Sequence, residues 1–197
     1  MNDTYHRLFI CLMPDKNIRN QARDIRRKLA KFSYKFSFVN LEQIHLTLKF
    51  LGNKVSSHIA DDIIEELNTT TLPQVNIRTE TIEFGFPGQK KPNVLYLTTY
   101  ANDALNTLVD EIQSMVRQYH PSEVITKKDN EKFFSHMTIA RVKKDISRSQ
   151  IKQIREIIDQ IDFDPEQYLA KELYVIKSIL TKKGPIYSVY DKIPLKV

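Results

Sequence analysis

Ile44-His45-Leu46-Thr47-Leu48-Lys49-Phe50-Leu51-Gly52 is the stretch on which the fold turns, and it has an echo later in the chain, Phe134-Ser135-His136-Met137-Thr138-Ile139-Ala140-Arg141. Each copy sets a histidine and a threonine two residues apart, with apolar residues between and after them. In a β-strand, side chains at i and i+2 share a face about 7 Å apart. His45 and Thr47 are therefore expected on one face of a strand, and His136 and Thr138 on one face of another. Leu46, Leu48, Met137 and Ile139 would point the opposite way, into a core. One histidine on a strand is ordinarily a surface or hydrogen-bonded residue. A His–Thr pair repeated with the same parity on two strands asks for a chemical reason.

Outward from these stretches the chain alternates between two periods. Residues 7–13 read as a buried strand closed by Pro14-Asp15. Residues 16–32 place Ile18, Ala22, Ile25 and Leu29 at helical spacing, with Arg19, Arg23, Arg26, Arg27 and Lys28 on a solvated face. Residues 44–51 form the next strand, ended by Gly52-Asn53, and Ser56-Ser57 cap a helix carrying Ile59, Ile63, Ile64 and Leu67. Residues 75–84 and 93–99 are rich in β-branched and aromatic side chains and read as a hairpin across the loop 85–92. A helix over 102–119, a strand over 134–142 and a helix over 147–161 follow. Residues 169–181 and 186–197 close as a hairpin around Lys182-Lys183-Gly184-Pro185. This mixture predicts an α+β fold with a largely antiparallel sheet. No Pro/Ser/Gly linker divides the chain and no solenoid period appears, so residues 1–197 are expected to form a single domain.

The 197 residues are 41% hydrophobic and 27% charged, a globular balance large enough for a real core. The lone cysteine, Cys11, sits inside an apolar run, which excludes a disulfide framework and a thiolate metal site and predicts a small buried side chain. Residues 1–5 are polar, and no apolar stretch approaches the roughly 20 residues needed to span a bilayer. A protein of the reducing cytosol, with no membrane association, is expected. The formal charge of +6 suits a polyanionic partner.

The repeated His–Thr pair suits phosphodiester hydrolysis. Attacking water must lose a proton while the alkoxide leaving on the far side gains one. Two imidazoles, whose ordinary pKa lies near ~6.5, do both at neutral pH. Threonine hydroxyls aimed at the non-bridging oxygens stabilise the charge gathering there. Which histidine is acid and which base is left open by this symmetry. A metal is not required, and the remaining histidines (His6 in a tail, His58 at a helix start, His120 at a helix end) have no ligand spacing. Ser135 is next to His136, and adjacent strand residues face opposite ways, so a Ser–His dyad fails on geometry. No glycine-rich phosphate loop or dinucleotide fingerprint is present.

The two His-x-Thr-x stretches resemble the hallmark of the 2H phosphoesterases. Their surroundings are similar to the RNA 2',3'-cyclic phosphodiesterases, also known as 2'-5' RNA ligases. Similar segments include Arg7-Leu8-Phe9-Ile10, Phe86-Pro87 before Val94-Leu95-Tyr96, and Ser178-Ile179-Leu180 through Gly184 to Tyr187. The resemblance implies a bilobal, pseudo-twofold α+β fold, with largely antiparallel sheets around a central cleft and helices outside. It implies hydrolysis of a terminal 2',3'-cyclic phosphate on RNA to a 2'-phosphomonoester, by a monomer without cofactor or metal. By carry-over, His45 donates the proton to the leaving 3'-oxygen and His136 activates water. Thr47 and Thr138 hold phosphate oxygens, and Arg141 contacts substrate phosphate. Strict strand parity would point Arg141 away from His136, so a bulge or strand end is required there. Two departures, Ser135 where the family often has proline and Tyr96 where it often has tryptophan, leave base preference open. Phe9, Phe50, Phe133, Phe134 and Tyr187 are the aromatic candidates for stacking, although the ordinary place of each such residue is in a core. The same site would also serve a small cyclic nucleotide or a 2'-5' oligoadenylate. A non-catalytic RNA-end binding module would share the basic charge and the aromatics, but would have no use for two intact His–Thr pairs.

Overall fold

The computed structural model describes residues 4–119, 133–143, 145–182 and 184–196. β1 (Tyr5–Leu12) leads into α1 (Lys16–Lys28), whose first turn is capped by Asp15 accepting from the Ile18 N–H at 3.1 Å. A 3-10 segment, Ala30–Lys35, precedes the short β2 (Phe36–Phe38). β3 (Leu46–Ser56) runs directly into α2 (Ser57–Thr69), and the Ser56 hydroxyl caps that helix at the Ile59 N–H. β4 (Val75–Phe84) and β5 (Val94–Thr99) form the expected hairpin and lead to α3 (Asp103–Tyr119). β6 (His136–Val142) carries the second motif, and Ser147 with Gln150 makes a capping box for α4 (Arg148–Asp159). β7 (Gln167–Ala170), β8 (Glu172–Thr181) and β9 (Gly184–Pro194) complete the chain.

The strands make one curled antiparallel sheet in the order β7-β4-β5-β6-β3-β1-β8-β9, with β2 also pairing β6. This is the α+β, largely antiparallel architecture expected. The order reads alike from its middle outward: β3-β1-β8-β9 on one side, β6-β5-β4-β7 on the other. The two motif strands are the central neighbours, and their ladder is a single pair, Leu46↔Met137.

Helices cover one face of the sheet. Leu8, Ile10 and Leu12 of β1 join Ile18, Ala22 and Ile25 of α1, Ile63 and Leu67 of α2, and Leu105, Leu108 and Ile112 of α3 in one core. The odd residues of β1 face the other way, where Phe9, Cys11 and Ile176 form a smaller cluster with Met13, Phe50, Tyr174 and Tyr187. Cys11 is buried there, as its apolar run foretold.

Three boundaries differ from the sequence reading. β3 does not end at Gly52-Asn53 but continues through them to Ser56. Its pairing with β1 slips twice in that stretch, and Gly52 takes φ 148°, a conformation open to glycine. The single strand expected over 169–181 is two strands. β7 pairs with β4 and β8 pairs with β1, so the chain crosses at Lys171 between distant places in the sheet. His6 lies not in a tail but inside β1, half of a pair with Val55, and is nearly buried against Tyr190.

Candidate active site

The register set by Leu46↔Met137 organises the site. Both of these side chains are fully buried on the helix side, so their neighbours face the open side of the sheet. Antiparallel register brings His45 level with Thr138 and Thr47 level with His136. The two imidazoles then occupy one diagonal of a quartet and the two hydroxyls the other. Diagonal neighbours of this kind stand roughly 7–8 Å apart, room for one phosphate between two rings. All four side chains are half-buried.

Each imidazole is anchored in the same way. His45 Nδ1 lies 2.7 Å from the Gln43 carbonyl oxygen, and His136 Nδ1 lies 2.8 Å from that of Phe134. A carbonyl only accepts, so in both rings Nδ1 carries a proton and donates it. Nε2 is thereby the nitrogen left open to gain or lose a proton. The rings are also clamped. Phe9 stacks on His45 at 4.8 Å and 29°, and Tyr187 meets it edge-on at 5.4 Å. Phe86, Tyr96 and Phe134 surround His136 at 5.3–5.4 Å. Burial holds the His45 pKa below the ordinary histidine value. The Gln43 carbonyl acts against that shift, while the positive charges of His136 and Arg141 add to it.

Arg141 reaches this side of the sheet through a bulge. Leu95 pairs with Ala140 but Tyr96 with Thr138, which leaves Ile139 as an extra residue. Ile139 and Ala140 are both buried and Arg141 is exposed, on the same side as Thr138. The first motif repeats the device. Ile10 pairs with Lys49 but Cys11 with Thr47, so Leu48 is the extra residue, and Leu48 and Lys49 are both buried. Phe50 stands where Arg141 stands in the other half, and the Arg7 guanidinium lies over its ring at 4.4 Å.

Beyond His136 the floor opens into a cavity of about 470 Å³, walled by Phe86, Tyr96 and Phe134, with Thr98, Gln89, Glu83 and Arg155 among its polar lining. Of the five aromatics nominated for stacking, Phe134 is 44% exposed, whereas Phe9 is 5% exposed, held under His45. Phe133 packs against the main core and Phe50 lies beneath Arg7. Phe86, on a loop fifty residues from His136, was legible only through the family resemblance, and Arg7 only as part of a similar opening segment.

Ser135 is buried with its hydroxyl 2.5 Å from that of Thr99, turned away from the histidine next to it. His58 lies in the first turn of α2, 3.7 Å from Asp62, and His120 lies outside the described residues. Among the described residues no group of three or more His, Cys, Asp or Glu side chains could hold a metal ion, and no helix is long and apolar enough to cross a membrane.

Residues 12–96 match the family described as LigT like Phosphoesterase. An RNA 2',3'-cyclic phosphodiesterase of Thermotoga maritima is 30% identical over 184 residues, covering 93% of this chain and 92% of that protein. A protein of the same name from Methanocaldococcus jannaschii is 28% identical over 189 residues, covering 93% and 97%. Among solved structures, TT0787 of Thermus thermophilus superposes with a TM-score of 0.77 at 21% identity, over 96% of this chain and 97% of that one. E. coli LigT complexed with 3'-AMP gives 0.72 at 17% identity, over 98% and 100%. The fold is thus shared with both, and the Thermotoga protein is close enough in sequence, along nearly its whole length, to carry the classification. With two His–Thr pairs meeting at the centre of one sheet, this chain belongs to the 2H phosphoesterases of the LigT-like family.

Proposed function

We propose that this chain is an RNA 2',3'-cyclic phosphodiesterase, which opens the cyclic phosphate at an RNA 3' end to a 2'-phosphomonoester. It acts as a cytosolic monomer of one domain, residues 1–197, whose two halves share the cleft. The observation that carries the reading is the quartet itself: two imidazoles, each donating Nδ1–H to a backbone carbonyl, set diagonally with a threonine at each remaining corner. Two curated relatives spanning nearly the whole chain bear the name of this activity.

In this mechanism His136 Nε2 takes a proton from water as the water oxygen bonds to phosphorus. The P–O3' bond breaks on the opposite side, and His45 Nε2 delivers its proton to O3'. Thr47, Thr138 and Arg141 hold the non-bridging oxygens as their charge grows. His45 must enter protonated, against its lowered pKa. The negative phosphate offsets the positive charge of Arg141 and His136 and restores the imidazolium when substrate binds. After turnover the two rings have exchanged protonation states and solvent resets them.

The test is incubation with a nucleoside 2',3'-cyclic phosphate and a short RNA bearing that end, in EDTA, with products separated by chromatography. A 2'-phosphate from both is expected. His45→Ala and His136→Ala should each lower turnover at least ~10²–10⁴-fold, the usual worth of a positioned proton carrier, with the circular dichroism spectrum retained. Undiminished turnover in both variants would sink the two-histidine mechanism. A 3'-phosphate product would reverse the assignment of the leaving oxygen.

A further inference from the structure

Arg7 lies outside the quartet yet is built into its surroundings. Its Nη1 donates to Asn53 Oδ1, and its guanidinium carbon lies over the Phe50 ring, 4.4 Å from the centroid. Among the described residues its buried Nε has no hydrogen-bond partner. Phe50 pairs across the ladder with Phe9, and Phe9 stacks on His45. The phenol of Tyr187, which packs edge-on against both Phe9 and His45, feels the positive charge of Arg141 and of Arg7. Phe50, under the Arg7 guanidinium, thus belongs to the same cluster as Phe9 and Tyr187, the two rings that pack on His45. Thr47 and Phe50 pair with Cys11 and Phe9, two residues apart on β1, so the bulge leaves them about 7 Å apart along the sheet, one nucleotide step from a phosphate held at the quartet.

The connectivity of the substrate says what belongs there. On the reading proposed above, on which this inference rests, His45 protonates O3', so the ribose lies on the His45 side of phosphorus. From C3' the chain runs through C4' and C5' to the phosphate that joins the preceding nucleotide. An RNA end has that phosphate and a nucleoside 2',3'-cyclic monophosphate does not. We propose that Arg7 binds this upstream phosphodiester and so makes the enzyme prefer RNA ends over mononucleotides. Asn53 and the Phe50 ring hold the guanidinium in place, so little side-chain freedom remains to be lost when phosphate arrives. The matched bulges give the arrangement its logic. One half turns Arg141 directly to the cleft, and the other turns Phe50, a platform on which Arg7 is laid.

The experiment compares wild type and Arg7→Gln on three substrates: adenosine 2',3'-cyclic phosphate, the dinucleotide ApA ending in that group, and the same dinucleotide with a neutral methylphosphonate between its nucleosides. We expect Arg7→Gln to lower kcat/KM on the charged dinucleotide about tenfold or more, mainly through KM, as for a lost charge-assisted hydrogen bond. The mononucleotide should change by less than about twofold. In wild type the methylphosphonate should cost as much as the mutation, and in Arg7→Gln it should cost nothing further, because each removes the same contact. Equal loss on mononucleotide and dinucleotide, or losses that add, would overturn the proposal. So would a wild type that hydrolyses charged and neutral dinucleotides equally fast, a measurement that needs no variant. A wild type inert on all three substrates would bring down the function proposed above and this inference with it; a mononucleotide that turns over without these differences would bring down only the inference.

Discussion

His45 is the residue whose environment speaks most directly to measurement. Burial lowers its pKa first of all, the Gln43 carbonyl opposes this, and the charges of His136 and Arg141 lower it further. Removing one of those cations favours the imidazolium. In Arg141→Gln the His45 ring should therefore titrate at higher pH than in wild type, closer to the unperturbed value near ~6.5. Following the imidazole Cε1–H resonance by NMR in the absence of ligand checks this. An unmoved or lowered midpoint would mean that Arg141 does not face the cleft. Much of this neighbourhood was legible in the sequence. The i, i+2 spacing put each His beside its Thr, and the parity of Arg141 demanded a bulge, which the structure has at Ile139. The anchoring carbonyls of Gln43 and Phe134 were not legible. They depend on how the chain enters each strand, and any residue type supplies a carbonyl there.

At the scale of elements, the loop between β4 and β5 decides how firmly His136 is held. Gln89 N–H donates to the Phe86 carbonyl and the Phe86 N–H to the Gln89 side chain, closing a compact turn that presents the Phe86 ring to His136. Gly85 has φ +88°, and a Cβ there would lie 2.8 Å from Pro92 Cβ. Gly88 has φ +78° with nothing within 4 Å of its would-be Cβ. Gly88→Ala should cost only the left-handed backbone penalty, about 1–2 kcal/mol, with turnover near wild type. Gly85→Ala should cost more than that and lower turnover as well, because Pro92 must shift and Phe86 with it. Denaturant midpoints and rates for the two variants separate these outcomes, and equal effects would deny the loop its clamping role. The hairpin itself was plain from its β-branched strands, and so were the helices. Hidden from the sequence were the division of 169–181 into β7 and β8 and the passage of β3 through Gly52, because both depend on partner strands far away in the chain.

For the whole molecule, two histidines bind protons less readily folded than unfolded. Burial lowers the His6 pKa, Lys177 adds to that, and Asp61 opposes it; His45 is lowered as described. As pH falls below the unfolded value of ~6.5, the unfolded chain takes up protons that these folded rings resist, so stability declines from there down toward their lowered pKa values. Denaturation midpoints should accordingly drop between pH 7.5 and pH 5, and the drop should be shallower in His6→Gln. A midpoint that is flat over this window in wild type would contradict the burial of both rings.

The palindromic strand order also bears on how the protein comes into being. Every partner that β4, β5 and β7 have in the sheet lies between residues 75 and 170, so the half bearing His136 is contiguous in the chain. The half bearing His45 is not: β1 and β3 are synthesised first, but β8 pairs with β1 only through residues 174–177, and β9 follows β8. The second half is thus an insertion within the first. A nascent chain has everything needed to finish the inserted half while β1 and β3 stand with an open edge, and long-range pairings of this kind are slow. The two late strands are the last to close over the earliest ones, and until then the newborn protein carries both His–Thr motifs without Tyr187 at the His45 ring.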